Sequence, residues 1–344
     1  MDSLAGLNQK EIEELLSPLP KFRASQICKW ILQGADSFDE MTNIPAALKT
    51  ELKTRFNVYS SCITYCREDA GAKKVVISLK DESKIEAVLL NDDKKRLTAC
   101  LSTQVGCPCA CVFCKTGTLG LKRNLESGEI IEQFLHLMRI CEAKKNGHII
   151  DNIVIMGMGE PLLNLENLRK ALVFFSDSRG LNFSKRRITI STCGICEQLF
   201  NLAQNGPYTR LALSLTTADE TLRAKLMPIS GANPLKKIKE ALLLFQKKGG
   251  SRITLEIPLL GGINTRESDA ESIAGFAMGL ETVINIIPWN PVEGLEFNGI
   301  PLKEPCGQEI SNFIGMLEKQ NLKITMRLHK GQKIMGACGQ LGSL

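Results

Sequence analysis

Three closely spaced cysteines carry the clearest chemical signal in this sequence. Cys107, Cys111 and Cys114 form a C-x3-C-x2-C pattern, a spacing that lets three thiolates from one loop bind one face of a metal cluster. A 4Fe-4S cluster ordinarily takes four cysteines. A set of three leaves one iron open to a ligand that is not a protein side chain. The spacing therefore predicts a 4Fe-4S cluster with one open coordination position.

Zinc is the alternative that this loop leaves open, because Cys109 supplies a fourth thiol nearby. A zinc-stabilised RNA-binding protein without catalytic activity would use such a set, and it would be colourless. Structural zinc sites usually take C-x2-C pairs separated by a spacer, and the C-x3-C-x2-C loop departs from that layout. Cys193 and Cys196 form a distant C-x2-C pattern of the thioredoxin type, and we expect both to be bystanders.

Composition limits the function classes further. The chain has 344 residues, of which 13 are cysteine and three are histidine. An odd number of cysteines argues against a disulfide framework and for metal, redox or nucleophilic use. The net charge of +6 suits a polyanionic partner such as RNA. The apolar runs are far shorter than the ~18 residues of a membrane helix, and the start MDSL does not resemble a secretory leader, so we expect a cytoplasmic protein without membrane association.

The elements that position these residues fall into three stretches. Residues 1–60 have apolar residues at helical spacing, interrupted by prolines, and predict a small helical accessory domain. Residues 61–92 carry short β-rich runs between charged turns and predict a strand-rich connector. Residues 93–344 alternate strand-like and helical segments and contain the cysteine loop.

The third stretch predicts a parallel sheet. Six strand-like runs alternate with amphipathic helices, which is typical of right-handed βαβ units. The runs are Leu97–Leu101, Ile153–Met156, Arg187–Thr192, Arg210–Leu215, Ile253–Ile257 and Val283–Ile287. Six units fall short of the eight of a full TIM barrel, so we predict an α/β fold with an open, partial (βα)6 barrel. Leu322–Arg327 is expected to add one strand after the last helix.

Polar residues follow every predicted strand. Ligands bind at the carboxyl ends of the strands in parallel α/β folds, so these positions are candidate binding residues. They include Gly159, Glu160, Ser191, Ser214, Leu215, Thr216 and Asn290. Their convergence predicts a large polar ligand in the mouth of the barrel.

These motifs resemble those of a known superfamily. The cysteine loop, with Phe113 before its last cysteine, resembles the signature of the radical S-adenosylmethionine (SAM) superfamily, and Gly157–Pro161 resembles its GGE-type motif. Stretches over nearly the whole chain resemble the RlmN family of radical SAM methyltransferases. They are Phe22–Gln26, Met41–Pro45, Ile190–Thr192, Ala212–Leu215, Leu226–Ile229, Asn285–Pro291 and Ala337–Leu341.

The resemblance implies the cofactors and the residues that hold them. One 4Fe-4S cluster is expected on Cys107, Cys111 and Cys114, with its open iron chelating the amino and carboxylate groups of SAM. Two SAM molecules are expected per turnover. The residues expected to bind SAM are Gly159, Glu160, Ser191, Ser214, Leu215, Thr216 and Asn290. Thr216 stands where the family carries histidine.

The resemblance also implies the reaction, which is methylation of adenosine C2 in 23S rRNA and in the tRNA anticodon loop. C2 lies between two ring nitrogens and is electron-poor, so it cannot attack the methyl group of SAM as a nucleophile, and a radical route is needed. In the family scheme Cys338 accepts a methyl group and delivers it to the base as a carbon radical. Cys100 then resolves the protein–RNA crosslink by forming a disulfide, and Glu86 removes the C2 proton.

Partners and one further alternative follow from the same resemblance. We expect 23S rRNA and tRNA as substrates, an N-terminal domain that helps to bind them, and an electron donor such as a flavodoxin-type reductase system. The protein is expected to be a monomer. The alternative is an adenosine C8 methyltransferase of 23S rRNA that confers antibiotic resistance and shares the cluster cysteines and both catalytic thiols. Pro161 resembles the C2 enzymes, since the C8 enzymes tend to have alanine there.

Overall fold

The computed structural model describes residues 2–92, 96–141, 150–326 and 330–343. The expected end of the last strand at Arg327 and the domain boundary at residue 93 lie outside the described residues. No helix within these ranges is both long enough and apolar enough to cross a membrane.

Three helices and a short parallel strand pair form the N-terminal part. The elements are β1 (Asp2–Ser3), α1 (Gln9–Leu15), α2 (Lys21–Leu32), α3 (Ala46–Arg55) and β2 (Phe56–Asn57). Helix α1 begins after Asn8, whose side chain accepts hydrogen bonds from the backbone N–H groups of Lys10 and Glu11. Pro20 and Pro45 precede α2 and α3, positions where a missing N–H leaves no helical bond unmade. The helical character predicted for this stretch is confirmed.

Three antiparallel strands follow, β3 (Cys62–Asp69), β4 (Ala72–Ser78) and β5 (Lys84–Asn91). They continue directly into the barrel sheet, because β5 pairs antiparallel with the first barrel strand and places Val88 opposite Cys100. The Ser102 hydroxyl donates to the carbonyl oxygen of Glu86 at 2.7 Å. The strand that carries Glu86 is thereby fixed beside the strand that carries Cys100.

Seven parallel strands form the rest of this sheet. In sheet order they are β6 (Leu97–Cys100), β9 (Asn152–Ile155), β10 (Ile188–Thr192), β11 (Arg210–Ser214), β12 (Ile253–Leu259), β13 (Thr282–Pro288) and β16 (Ile324–Met326). The hairpin β7 (Gln104–Gly106) and β8 (Leu121–Asn124) flanks the cysteine loop, and β14 (Glu296–Phe297) pairs with β15 (Ile300–Pro301). The predicted open barrel of six βα units with one added strand is confirmed.

Within the described ranges, seven α-helices lie in the connections between the barrel strands and after the hairpin. They are α4 (Ser127–Ile140), α5 (Leu165–Ser176), α6 (Cys196–Asn205), α7 (Glu220–Leu226), α8 (Leu235–Lys247), α9 (Glu267–Ala277) and α10 (Gly307–Lys319). Each buries an apolar face against the fold, as α8 does with Leu235, Ile238 and Leu242 at helical spacing. The barrel strands carry a buried apolar row, as β12 does with Ile253, Leu255 and Ile257, while polar residues such as Thr254 and Glu256 alternate with it. The packing leaves the carboxyl ends of the strands to form the site.

Candidate active site

A cavity opens where the carboxyl ends of the barrel strands meet the cysteine loop. The predicted site residues that line it are Cys107, Cys111, Cys114, Gly159, Glu160, Ser191, Ser214, Asn290 and Cys338. These residues come from six separate segments of the chain. The fold therefore brings most of the predicted cluster-binding and SAM-binding residues to one cavity.

The cysteine loop presents its thiols to this cavity. The backbone N–H of Cys107 donates to the carbonyl oxygen of Gly120 at 2.8 Å, and that of Cys114 donates to the carbonyl oxygen of Cys111 at 3.1 Å. Burial raises the pKa of the Cys111 and Cys114 thiols, so these thiols are protonated until a metal displaces the protons. Three thiols from one loop on one cavity wall are a donor set that fits an iron–sulfur cluster.

A buried arginine behind the loop also favours an anionic group there. Arg223 is 1% exposed, and its guanidinium donates to the carbonyl oxygens of Cys193 at 2.6 Å and Leu215 at 3.1 Å. Its Nη1 atom has no hydrogen-bond partner among the described residues, and burial lowers the pKa of the group. The positive charge of Arg223 is close enough to the Cys193 and Cys111 thiols to interact with them electrostatically. A buried cation is costly unless an anion neutralises it, and a thiolate-bound cluster would supply that charge.

Glu160, which follows strand β9, places a buried carboxylate at the cavity wall. Glu160 is 4% exposed and accepts hydrogen bonds from the Thr192 hydroxyl at 2.7 Å and from the backbone N–H of Cys193 at 2.8 Å. The adjacent Gly159 has φ +102°, and a Cβ there would lie 2.9 Å from the backbone nitrogen of Gln104. Burial raises the pKa of the Glu160 carboxyl. A buried carboxylate of this kind is suited to an ammonium group, such as that of SAM.

Replacing Glu160 with glutamine should weaken SAM binding to the reconstituted protein by about tenfold or more, because a charge-assisted hydrogen bond is lost. The dissociation constant is measured by equilibrium dialysis with radiolabelled SAM. Glu166→Gln is the matched control, since Glu166 is an exposed carboxylate on α5 that pairs with Arg169. An unchanged SAM affinity in the Glu160 variant, with a wild-type melting temperature, would contradict this role.

The other predicted SAM-binding residues differ in whether they line the cavity. The hydroxyl oxygens of Ser191 and Ser214 lie 3.4 Å apart on neighbouring strand ends, at the cavity wall. Leu215 and Thr216 are fully buried and are not among the residues that line the cavity. The Thr216 hydroxyl instead contacts the Met227 sulfur at 3.2 Å, and its backbone has φ +64°. The chain turns away from the cavity directly after Ser214.

Two residues with polar side-chain groups also line the cavity and were not among the predicted site residues. Glu256 on β12 and Trp289 after β13 both line the cavity. The Asn285 amide donates to the Glu256 carboxylate at 2.7 Å, and the Trp289 indole donates to the carbonyl oxygen of Phe113 at 2.9 Å. The sequence does mark Glu256 as a candidate cavity residue, because it is a charged residue inside an otherwise mostly apolar strand. Trp289 fixes the backbone next to the last cysteine of the loop.

Cys193, which was expected to be a bystander, lines the cavity together with Cys109, whereas Cys196 is not among the lining residues. The sulfurs of Cys109 and Cys193 are 3.6 Å apart and buried. With the Glu160 carboxylate they form a group whose possible ligand atoms all lie within 4.8 Å of one another. Glu160 already accepts hydrogen bonds from protein donors. This group differs from the zinc alternative of the cysteine loop, with which it shares only Cys109.

Replacing Cys107 with alanine should remove most of the iron from the reconstituted protein, because only two of the three expected thiolates remain. Cys109→Ala, in the same loop, is the matched control and should keep a full cluster. Iron, sulfide and zinc are assayed together with the absorbance of the cluster. Iron loss in the Cys109 variant but not in the Cys107 variant would contradict the three-cysteine assignment.

A second cavity adjoins the first and contains both predicted catalytic thiols. It is lined by Cys100 from the end of β6 and by Cys338 from the C-terminal segment, with Arg96 and Lys330 also at its wall. Cys338, Asn290, Met156 and Ile287 line both cavities. Cys338 therefore lies at the junction between the cavity of the cysteine loop and the cavity of Cys100.

Residues 335–342, the C-terminal segment that carries Cys338, are hydrogen-bonded to several elements. The Asn290 amide donates to the carbonyl oxygen of Cys338 at 3.0 Å. The Thr116 hydroxyl donates to the carbonyl oxygen of Leu341 at 2.7 Å, next to the cysteine loop. Glu86 is 3% exposed and accepts a hydrogen bond from the backbone N–H of Gly342 at 2.8 Å. Glu86 lies beneath this segment and is not among the residues that line either cavity.

Comparison with known proteins agrees with this architecture. Residues 101–273 match the family model of the radical SAM superfamily. Residues 3–58 match that of the ribosomal RNA large subunit methyltransferase N-terminal domain. A crystal structure of a radical SAM methyltransferase from Sphaerobacter thermophilus covers 100% of both chains, with 33% sequence identity and a TM-score of 0.93.

Related proteins show which family of the radical SAM superfamily this chain resembles. A probable dual-specificity RNA methyltransferase RlmN of Treponema denticola is 49% identical over 342 residues, which are 99% of this chain and 95% of that protein. The protein of the same description from Treponema pallidum strain Nichols is 43% identical, over 99% of this chain and 97% of its own. With the cysteine loop, the strand-end residues and the two adjoining cavities in place, this chain belongs to the RlmN family of radical SAM RNA methyltransferases.

Proposed function

We propose that the protein methylates C2 of a specific adenosine in 23S rRNA and in the tRNA anticodon loop. The observation that carries this proposal is the place of Cys338, which lines both the cavity of the three cysteines and the cavity of Cys100. A methyl carrier must meet the source of the methyl group and radical on one side and the RNA base on the other. Cys338 has access to both sides.

Cys107, Cys111 and Cys114 would hold the 4Fe-4S cluster, and Glu160, Ser191, Ser214 and Asn290 would hold SAM. When bound, these groups supply a methyl group from one SAM and a 5′-deoxyadenosyl radical from another. The Cys338 sulfur takes the methyl group and becomes a thioether. Removal of one hydrogen atom leaves a methylene radical that its sulfur stabilises, and this carbon adds to C2 of the adenine.

Cys100 would release the product. After addition, the RNA base is joined to Cys338 through the methylene carbon. The adduct loses the C2 proton to Glu86 and one electron, for which the cluster, oxidised when SAM is cleaved, would be the acceptor when bound. The Cys100 thiolate attacks the Cys338 sulfur, the sulfur–carbon bond breaks, and its electron pair stays on the carbon, which takes up a proton to become the methyl group. The products are the methylated base and a Cys100–Cys338 disulfide, which an external dithiol then reduces.

Glu86 is the proposed acceptor of the C2 proton. Its carboxylate lies on β5, next to the strand of Cys100, and is covered by the C-terminal segment through Gly342. The Glu86 carboxylate can reach an adenine in the second cavity only when that segment moves. We therefore propose that proton removal by Glu86 requires a rearrangement of residues 335–342.

RNA is the proposed partner on three grounds. The chain carries a net charge of +6, Arg96 and Lys330 line the cavity of Cys100, and the relatives are described as dual-specificity RNA methyltransferases. Residues 1–60 would act as the RNA-binding accessory domain and 61–92 as the connector to the catalytic part, 93–344. We further propose that the protein is a cytoplasmic monomer and that it takes electrons from a flavodoxin-type reductase system.

Mass spectrometry of nucleosides tests this function. The reconstituted protein is incubated anaerobically with SAM, a reductant and either unmodified 23S rRNA or tRNA, and the digested RNA is compared with standards. We expect 2-methyladenosine in both RNAs. Formation of 8-methyladenosine would instead assign the protein to the C8 alternative, and neither product from protein with an intact cluster would overturn the proposal.

A further inference from the structure

A buried ion pair lies beside the C-terminal segment, on the antiparallel part of the sheet. Lys74 on β4 and Glu86 on β5 are 1% and 3% exposed, and the Lys74 ammonium lies 3.2 Å from the Glu86 carboxylate. Lys74 is opposite Val88 in the strand register, so it reaches diagonally across the sheet to Glu86. A buried ion pair is tolerated only if its remaining donors and acceptors are also satisfied.

Both members of the pair hold the backbone of the segment that carries Cys338. The Lys74 ammonium donates to the carbonyl oxygen of Met335 at 3.2 Å. The second oxygen of the Glu86 carboxylate accepts from the backbone N–H of Gly342 at 2.8 Å. Met335 and Gly342 lie on either side of Cys338 in the sequence. The ion pair is therefore bonded to the segment at two points that bracket the methyl carrier.

These two attachments of the segment each involve an ionisable side chain. A hydrogen bond in which one partner is ionised is about twice as strong as a neutral one of similar geometry. The attachments of Cys338 to Asn290 and of Leu341 to Thr116 are neutral. If the segment lifts away, a buried lysine and a buried carboxylate each lose a partner, and this cost favours the docked position.

We propose that Lys74 is a positioning residue for this reaction: together with Glu86 it clamps residues 335–342 at both ends and so holds Cys338 between the two cavities. The clamp also covers Glu86, so its opening exposes the carboxylate that removes the C2 proton. The inference rests on the proposed function for the roles of Cys338 and Glu86. The clamp itself rests only on the contacts of Lys74, Glu86, Met335 and Gly342.

Hydrogen exchange of the C-terminal segment tests the clamp without RNA or SAM. In Lys74→Met, the backbone amides of residues 335–343 should exchange about tenfold faster or more, because charge-assisted bonds at both ends are weakened. Alkylation of the Cys338 thiol by iodoacetamide should accelerate with them. Lys73→Met is the matched control, since Lys73 lies on the same strand and pairs with the exposed carboxylate of Glu68. Exchange in this control should be unchanged.

Two further variants keep the test decisive if Lys74→Met does not fold. Lys74→Arg retains the charge and should keep the segment protected, whereas Glu86→Gln keeps the shape, loses the charge and should release the segment. Wild-type exchange and alkylation rates in Glu86→Gln, or in a folded Lys74→Met, would overturn the clamp. Since neither readout needs catalysis, the clamp can fail while RNA methylation stands, and the methylation assay can fail while the clamp stands.

Discussion

Cys338→Ala should abolish RNA methylation, by roughly a thousandfold or more, because the carbon that reaches the base is first attached to this sulfur. The variant should still bind iron and SAM, since the three cluster cysteines and Glu160 are unchanged. It should also still cleave SAM to 5′-deoxyadenosine when reduced. Methylated nucleosides, iron content and 5′-deoxyadenosine are measured on the same preparation.

Cys62→Ala is the control for this variant, because Cys62 is an exposed cysteine on the edge strand β3. Its methylation rate should equal that of the wild type. The methyl-carrier role would be wrong if Cys338→Ala retained substantial methylation. Loss of iron together with methylation would mean that Cys338 supports the cluster site and would also contradict the account.

Cys100→Ala should trap a covalent protein–RNA adduct. Without the Cys100 thiolate nothing in the proposed scheme attacks the Cys338 sulfur, so the crosslink formed in the first turnover persists. The adduct should appear as an RNA-containing band of reduced mobility in a denaturing gel, approaching one RNA per active protein. Released methylated RNA should fall by roughly a hundredfold or more.

The matched control is Cys141→Ala, because Cys141 and Cys100 are both buried cysteines with 7% exposure. Cys141 lies at the end of α4, and its replacement removes a similar volume from the fold. It should give no adduct and near-normal turnover. Absence of an adduct in Cys100→Ala, when the variant is folded and cleaves SAM, would remove the resolving role from Cys100.

The catalytic part of the fold was predictable because its signals are local. The apolar runs that become β9 to β13 alternate with amphipathic helices, and their observed bounds lie within a few residues of the predicted ones. The polar residues that follow each strand could be located for the same reason, since parallel strands share one carboxyl edge. The antiparallel pairing of β5 with β6 was not predicted, because the strands of residues 61–92 were expected to form a separate connector.

The direction of side chains after a strand end was less predictable. Leu215 and Thr216 directly follow Ser214, but the chain turns there and both residues are buried away from the cavity. A positive φ at Thr216 accompanies this turn, and no local pattern in the sequence indicates it. The reverse holds for Glu256, which lies within β12 rather than after its end and still lines the cavity. Its charge in an otherwise mostly apolar strand is the local signal for this position.

The contacts of the C-terminal segment lie furthest from what a single sequence indicates. Lys74 meets Met335 across 261 positions, and Glu86 meets Gly342 across 256. The structure attaches this glycine-rich segment to β4, β5, the cysteine loop and the end of β13. Only the fold shows that the segment of the proposed methyl carrier contacts the proposed base.

Isotope tracing from SAM tests whether the methyl carbon passes through a radical on Cys338. The reconstituted protein is given SAM with a fully deuterated methyl group and an RNA substrate, and the mass of the methyladenosine product is determined. Passage through a methylene radical on Cys338 removes one deuterium, so the product methyl should carry two deuterium atoms and the 5′-deoxyadenosine one. A product that retains all three would mean direct methyl transfer and would contradict the account.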